Sequence, residues 1–333
     1  MTGPAERGEA LARQAREGDR RALARLLTEV ENGTRAAEAA LRLLYPLAGE
    51  GHFVGVTGAP GSGKSTLVAA LVGEARTTGR AVAVLAVDPS SPITGGAILG
   101  DRVRMQAHAG DRDVFIRSVA SRGHAGGLAT TTVAAAAVLD ASGFPLIFVE
   151  TVGTGQSEVE VAAIADTTVV VQAPEMGDEV QAIKAGLLEV ADIVIVNKGD
   201  RPGADRAAAQ LRGMLTVGAQ HDRAAGDRPR PKRPQVMLAS ALTGAGVAEL
   251  LSALDRREEA RGRQPATELD RSRLARADAQ LTGIMTQRLA ERLRGSEHAA
   301  ERSEALRQVA AHETDPYTAA DRLLDLLGGT ARG

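Results

Sequence analysis

Gly58-Ala-Pro-Gly-Ser-Gly-Lys64-Ser65 is a complete GxxxxGK[ST] loop, set directly after the apolar run FVGVT and directly before STLVAALVGEA. This loop works only at a strand-to-helix turn. Its glycines let successive backbone N–H groups turn inward around phosphates, and the helix that follows adds the positive end of its dipole. Lys64 is placed to reach the β- and γ-phosphates and Ser65 to ligate Mg2+. The residues expected to enclose phosphate are Gly58, Ala59, Pro60, Gly61, Ser62, Gly63, Lys64, Ser65 and Thr66. A glycine-rich turn without a ligand would also read this way, but the full motif in its proper context argues against it.

The surrounding pattern fits. Short apolar runs, FVGVTG, AVAVLAVD, DVFIRSV, LIFVE, TTVVVQA, DIVIVNK and VMLAS, alternate with helical stretches. Runs this apolar predict strands buried on both faces, hence an α/β fold with a mainly parallel sheet between helix layers over residues 50–255. Ahead of it, residues 1–49 form a helical N-terminal extension, with Leu11, Leu23, Leu26, Leu27, Val30, Leu41, Leu43 and Leu44 at helical spacing and Gly18 and Gly33 as punctuation. Residues 256–333 form a C-terminal helical arm: Leu274, Leu281, Ile284, Met285, Leu289 and Leu293 make one stripe, and Asp315-Pro316 starts a last helix. The stripe must pack on something, and a place at the end of the chain favours dimerisation over packing within the subunit. Between Val217 and Pro234 the run GAQHDRAAGDRPRPKRP reads as an exposed loop.

Composition removes several function classes. Forty basic against 42 acidic side chains leave a net charge of −2, so nothing global points to nucleic acid or a membrane surface. There is no cysteine, hence no disulfide, thiolate zinc site or thiol nucleophile. The first residues are too charged for a signal peptide and no apolar run approaches the roughly 18 residues of a membrane span, so the expectation is a soluble cytoplasmic protein. With no Trp, two Tyr and four Phe, the core must be aliphatic.

Base identity comes from two strand ends. DIVIV ends in Asn197-Lys198-Gly199-Asp200, and VMLAS leads through Ser240-Ala241 to Leu242, both at the carboxyl edge where α/β sheets place ligands. Asp200 can accept from the N1 and N2 donors of guanine, which adenine cannot satisfy; Asn197 and Lys198 would support loop and ring, and the Ala241 N–H could meet guanine O6. NKxD alone is short and compatible with a surface turn. Paired with SAL behind a phosphate loop, it predicts a GTPase with GTP and GDP as ligands. A third element, Glu150-Thr-Val-Gly153, occupies the place of the DxxG of many GTPases, where the acid holds Mg2+ through water and the glycine N–H meets the γ-phosphate. Thr154 rather than Gln follows Gly153, with Gln156 further on, so the usual water-orienting residue is missing from its place. Slow intrinsic hydrolysis and activation by a partner follow as hypotheses. Asp88 and Asp101 could join the Mg2+ shell and Arg104 could meet phosphate, although capping and surface pairing explain these residues equally well. His124 lacks a paired acid and reads as structural.

With those residues in hand, the sequence resembles the MeaB/ArgK family of GTPases, bacterial relatives of the human methylmalonic aciduria type A protein. The resemblance rests on GAPGSGKST, AVDPSSPITGGAILGDRVRM, SRGHAGGLA, ETVGTGQSE, PEMGDEVQAIKAG and NKGD, over about residues 50–245. It implies a P-loop fold of the SIMIBI type, a homodimer, and a G-protein chaperone. Such a chaperone gates adenosylcobalamin loading of, and protects, an acyl-CoA mutase such as methylmalonyl-CoA mutase. Carried over by motif, Lys64, Asp101 and Glu150 serve catalysis, Ser65, Asp88, Asp101 and Glu150 the metal, and Asn197 and Asp200 the base. Glu175, Asp178, Glu179 and Lys184 would signal to the mutase; read without the resemblance, their run is a charged loop and a helix. Two departures stand out: PKRPQVMLAS lacks the tryptophan common in the family, and the C-terminal helix is only loosely similar until DPYTAADRLL. Two other classes compete. A transport-associated ATPase or kinase conflicts with NKGD, and a metallochaperone GTPase would want a His- or Cys-rich tract where this chain has six scattered His and no Cys.

Overall fold

The computed structural model describes residues 3–89, 108, 110–121, 127–151, 164–174, 185–221, 234–263, 266–295 and 298–329. Three helices, α1 (Pro4–Arg16), α2 (Arg20–Glu31) and α3 (Arg35–Leu44), precede β1 (His52–Gly58) and α4 (Lys64–Thr77). Then come β2 (Val82–Pro89), β3 (Val114–Ser121), α5 (Gly127–Ala141), β4 (Leu146–Thr151), β5 (Thr167–Gln172) and α6 (Ala185–Val190). The domain closes with β6 (Ile193–Val196), α7 (Ala204–His221), β7 (Gln235–Leu238) and α8 (Val247–Gly262). Beyond it lie α9 (Ala266–Arg294), α10 (Ala299–Ala310) and α11 (Pro316–Gly329). Each predicted apolar run is a strand. They form one sheet in the order β3-β2-β4-β1-β5-β6-β7, every neighbouring pair parallel. The α/β fold expected from the sequence is therefore the one observed.

Alternation along the strands sorts side chains to two faces. Val54, Val56, Phe148, Val169 and Ile193 face α4 and α8, meeting Leu67, Leu71, Leu250 and Leu254. Phe53, Leu85, Phe115, Ile147 and Val149 face the other way, into one core with Leu139 of α5 and Leu26, Leu27 and Leu44 of the N-terminal helices. The leucines of α2 and α3 thus roof the sheet, each contributing about 1.5–3 kcal/mol of burial before entropy is counted. Caps start these helices where the sequence permits: Asp19 Oδ1 accepts from Arg21 N (2.8 Å) and Ala22 N (3.1 Å), and Thr34 Oγ1 from Ala37 N (3.2 Å). Arg117, a charge inside an otherwise apolar strand, is explained by the edge position of β3. It reaches sideways to Glu31 Oε2 (2.8 Å) and Ala24 O (3.0 Å) of α2.

The stripe on α9 is partly uncovered within one chain, with Leu274 65% and Met285 68% exposed but Ile284 and Leu289 38%. Among the described residues no helix is long and apolar enough to cross a membrane.

At the amino edge of the sheet His52 is fully buried. Its Nε2 lies 2.9 Å from Thr167 Oγ1 and its Nδ1 3.5 Å from Glu258 Oε2. Burial pushes its pKa from the ordinary 6.5 down to about 4; the Asp166 carboxylate opposes this, and Arg261 and Arg80 reinforce it. The folded chain therefore refuses a proton that the unfolded chain takes up. This contribution is whole above pH 6.5 and is lost as pH falls toward 4, by about 3 kcal/mol. Urea titrations at pH 7 and pH 4.5 are expected to show a smaller acid loss for His52→Gln, which cannot titrate, than for the natural chain. Equal losses would mean that His52 is not a source of the acid sensitivity.

Candidate nucleotide site

The loop between β1 and α4 is held by close approaches that only glycine allows. At Gly58 φ is +137° and a Cβ would lie 2.1 Å from Val171 O; at Gly63 φ is +88° and a Cβ would lie 2.4 Å from Asn197 Nδ2. No side chain caps α4, whose N-terminus opens on the loop. Lys64 folds back over the loop and is nearly buried, its Nζ donating to Gly58 O (2.8 Å) and Ala59 O (3.0 Å). Those carbonyls hold the ammonium where phosphate oxygens would compete for it.

Sheet register brings the acid to the loop. Val56 pairs with Glu150, so β4 ends beside the start of the phosphate loop, and Ser65 Oγ donates to the buried Glu150 Oε1 at 2.5 Å. A hydroxyl and a carboxylate in contact are hard oxygen ligands of the kind Mg2+ selects, so the donor set fits that ion. Asp88 is the penultimate residue of β2 on the neighbouring strand, one position beyond the pairing of Val87 with Thr151. Thr151 Oγ1 donates to Thr57 Oγ1 (3.1 Å), a buried hydroxyl pair joining the two strand ends that sequence reading did not single out. Asp101, Arg104, Gly153, Glu175, Asp178, Glu179 and Lys184 lie outside the described residues.

The residues expected to read the base converge on the same edge through Asn197, which is 2% exposed. Its Nδ2 donates to Ser62 O (2.9 Å) and Gly63 O (3.3 Å) of the phosphate loop, and its Oδ1 accepts from Ala241 N (3.1 Å). One carboxamide thus ties both base loops to the phosphate loop. The Ala241 N–H, expected from the sequence to meet guanine O6, is committed instead to Asn197. Lys198 adopts a left-handed φ of +59°, uncommon for a side chain of its size, and Gly199 N donates to Ala239 O (2.9 Å), joining the ends of β6 and β7. Ser240 Oγ donates to Asp200 Oδ1 at 2.5 Å. That hydrogen bond, with the residue's own backbone N–H, holds the Asp200 carboxyl below the usual range and so ionised, acceptor-only and suited to the N1–H and N2–H2 of guanine. Leu242 follows at the tip of the loop, 84% exposed.

Known proteins resemble this chain over most of its length. A protein of Pyrococcus abyssi (strain GE5 / Orsay) is 44% identical over 320 residues, 96% of this chain and 97% of that relative. The GTPase ArgK of Escherichia coli (strain K12) is 39% identical over 246 residues, 73% of each chain. The crystal structure of a LAO/AO transport system kinase superposes with a TM-score of 0.64 at 27% identity, covering 98% of this chain and 99% of that one. The model of the family described as "Methylmalonyl Co-A mutase-associated GTPase MeaB" matches residues 23–298, and the chain belongs to that family.

Proposed function

We propose that this chain hydrolyses GTP and that its nucleotide cycle gates adenosylcobalamin loading of, and protects, an acyl-CoA mutase of the methylmalonyl-CoA mutase kind. One observation carries the GTPase half: Asn197 holds the phosphate loop and the guanine-reading loops in a single hydrogen-bonded unit, beside an ionised Asp200. The mutase half rests on the family description.

Chemically, water attacks the γ-phosphate in line and no covalent intermediate forms. Lys64 would exchange the Gly58 and Ala59 carbonyls for the β- and γ-phosphates, and Ser65 and Glu150 would hold the metal. Mg2+ bound there would neutralise charge developing on the phosphate oxygens. Lacking a glutamine directly after Gly153, the chain depends on a partner to align the water, and Glu175, Asp178, Glu179 and Lys184 belong to the segment that meets it. The same reading makes the protein a homodimer, whose second copy covers the exposed stripe of α9.

The test is GTP hydrolysis by the purified protein, with ATP as control, alone and with each adenosylcobalamin-dependent mutase of the same organism in turn. Stimulation by one mutase identifies the client. GTP turnover that no mutase alters would remove the mutase half and leave the GTPase.

A further inference from the structure

The long helix α9 is tied to the helical roof of the sheet at two points. Tyr45, just past α3, donates its hydroxyl to Gln280 Oε1 (2.9 Å), and Arg288 Nη2 donates to Glu38 Oε2 (3.1 Å), so α3 and α9 run antiparallel. Two turns of helix, roughly 10 Å, separate Glu38 from Tyr45. Between the ties a cavity of about 530 Å3 opens, walled by Ala37 and Leu41 of α3, Ala134 of α5, and Leu281 and Ile284 of α9. An alanine on each of the three helices, Ala277 being that of α9, leaves the space open. Apolar walls facing water are unfavourable, and clefts of roughly 300–1,000 Å3, mostly apolar with a few placed polar groups, are what bind small molecules. Among the described residues that line the cavity, none belongs to the nucleotide site, and Leu274 and Met285, the most exposed of the α9 stripe, lie outside it.

The polar groups of the cavity sort by what they already hold. Each carboxylate that lines it is engaged: Glu31 by Arg117 (2.8 Å), Glu38 by Arg288 (3.1 Å) and Glu291 by Gln287 Nε2 (2.9 Å). Beside Tyr45 two donors are left open. Gln280 spends its oxygen on the Tyr45 hydroxyl and keeps both hydrogens of Nε2. Arg42, one turn before Tyr45 and on the same face, forms no ion pair among the described residues. A guanidinium and a carboxamide NH2 without acceptors suit a carboxylate. We infer that the cavity binds a single-chain aliphatic carboxylate, its chain between α3, α5 and α9 and its head at Arg42 and Gln280. An alkylammonium would meet the like charge of Arg42, and a neutral alcohol would leave that charge unanswered. The inference is independent of the nucleotide reading.

Calorimetric titration of the full-length chain with decanoate, decan-1-ol and decylammonium, each below its micelle concentration, tests the assignment. Decanoate is expected to bind at one site per chain and more tightly than the other two. Arg42→Gln should weaken decanoate about tenfold and leave decan-1-ol unchanged, because only a hydrogen bond to a charged group is lost. Ala134→Leu and Ala277→Leu fill the cavity from two different walls, and each should abolish decanoate binding in protein whose circular dichroism matches the natural chain. Met285→Ala, outside the cavity, should change nothing, which separates the site from adhesion to bare surface. Decylammonium bound as tightly as decanoate, Arg42→Gln without effect, or decanoate binding that survives both leucines would overturn the assignment. So would decanoate splitting a dimer into single chains in sedimentation velocity runs, since the cavity would then be the seat of a second copy.

Discussion

Replacing Lys64 by alanine is expected to cut GTP turnover about a thousandfold while leaving the fold in place. The ammonium is nearly buried and positioned before any nucleotide arrives, 2.8 Å from Gly58 O and 3.0 Å from Ala59 O. A charge organised in advance costs no rearrangement when negative charge grows on the phosphate oxygens. Its removal raises the barrier by about 4 kcal/mol, the equivalent of that rate loss. Folding should be spared because position 64 is the first residue of α4, where alanine is a good helix former. Single-turnover phosphate release, with circular dichroism as the control for folding, measures both. Turnover within tenfold of the natural chain would show that Lys64 is not at the reacting phosphates.

The parts of this molecule that were legible in the sequence are those written in contiguous residues. Strands such as VAVLAV and IVIV are buried on both faces, so their aliphatic runs are continuous and announce a parallel sheet. The phosphate loop and NKGD are legible for the same reason, since their chemistry needs neighbouring backbone groups. What could not be read is set across space. Periodic leucines in the first helices say that one face is buried, but not that Leu26 and Leu44 share a core with Phe53 and Leu139. The tie from Asn197 to Ser62 spans 135 residues, and it alone decides that the Ala241 N–H is already spoken for. The hydroxyl pair of Thr57 and Thr151 left no signal, because threonine is an ordinary strand residue. The stripe on α9 was legible as a surface needing cover, while the single chain leaves Leu274, Leu281 and Met285 bare.

Asp200→Asn should exchange the base that the site prefers, weakening GTP about a hundredfold and admitting xanthosine triphosphate. The carboxylate accepts from both N1–H and N2–H2 of guanine, and each hydrogen bond to a charged group is worth about 1.5–3 kcal/mol. An asparagine keeps one acceptor and offers a donor in place of the second. Ser240 decides which atom faces which way. Its hydroxyl accepts from Thr243 N (3.3 Å) and gives its proton to Asp200 Oδ1 (2.5 Å), so in the variant the amide oxygen stays toward Ser240. The NH2 group is thereby turned to the base, opposite the carbonyl that xanthine carries where guanine carries its amino group. Competition between GTP and xanthosine triphosphate, measured for the natural chain, for Asp200→Asn and for Asp200→Asn combined with Ser240→Ala, separates the two contributions. The single variant should favour xanthosine triphosphate, and the double variant should lose that preference as its amide becomes free to turn over. An unchanged preference for guanine in Asp200→Asn would remove Asp200 from the base pocket, and with it the reason for calling the site a guanine site.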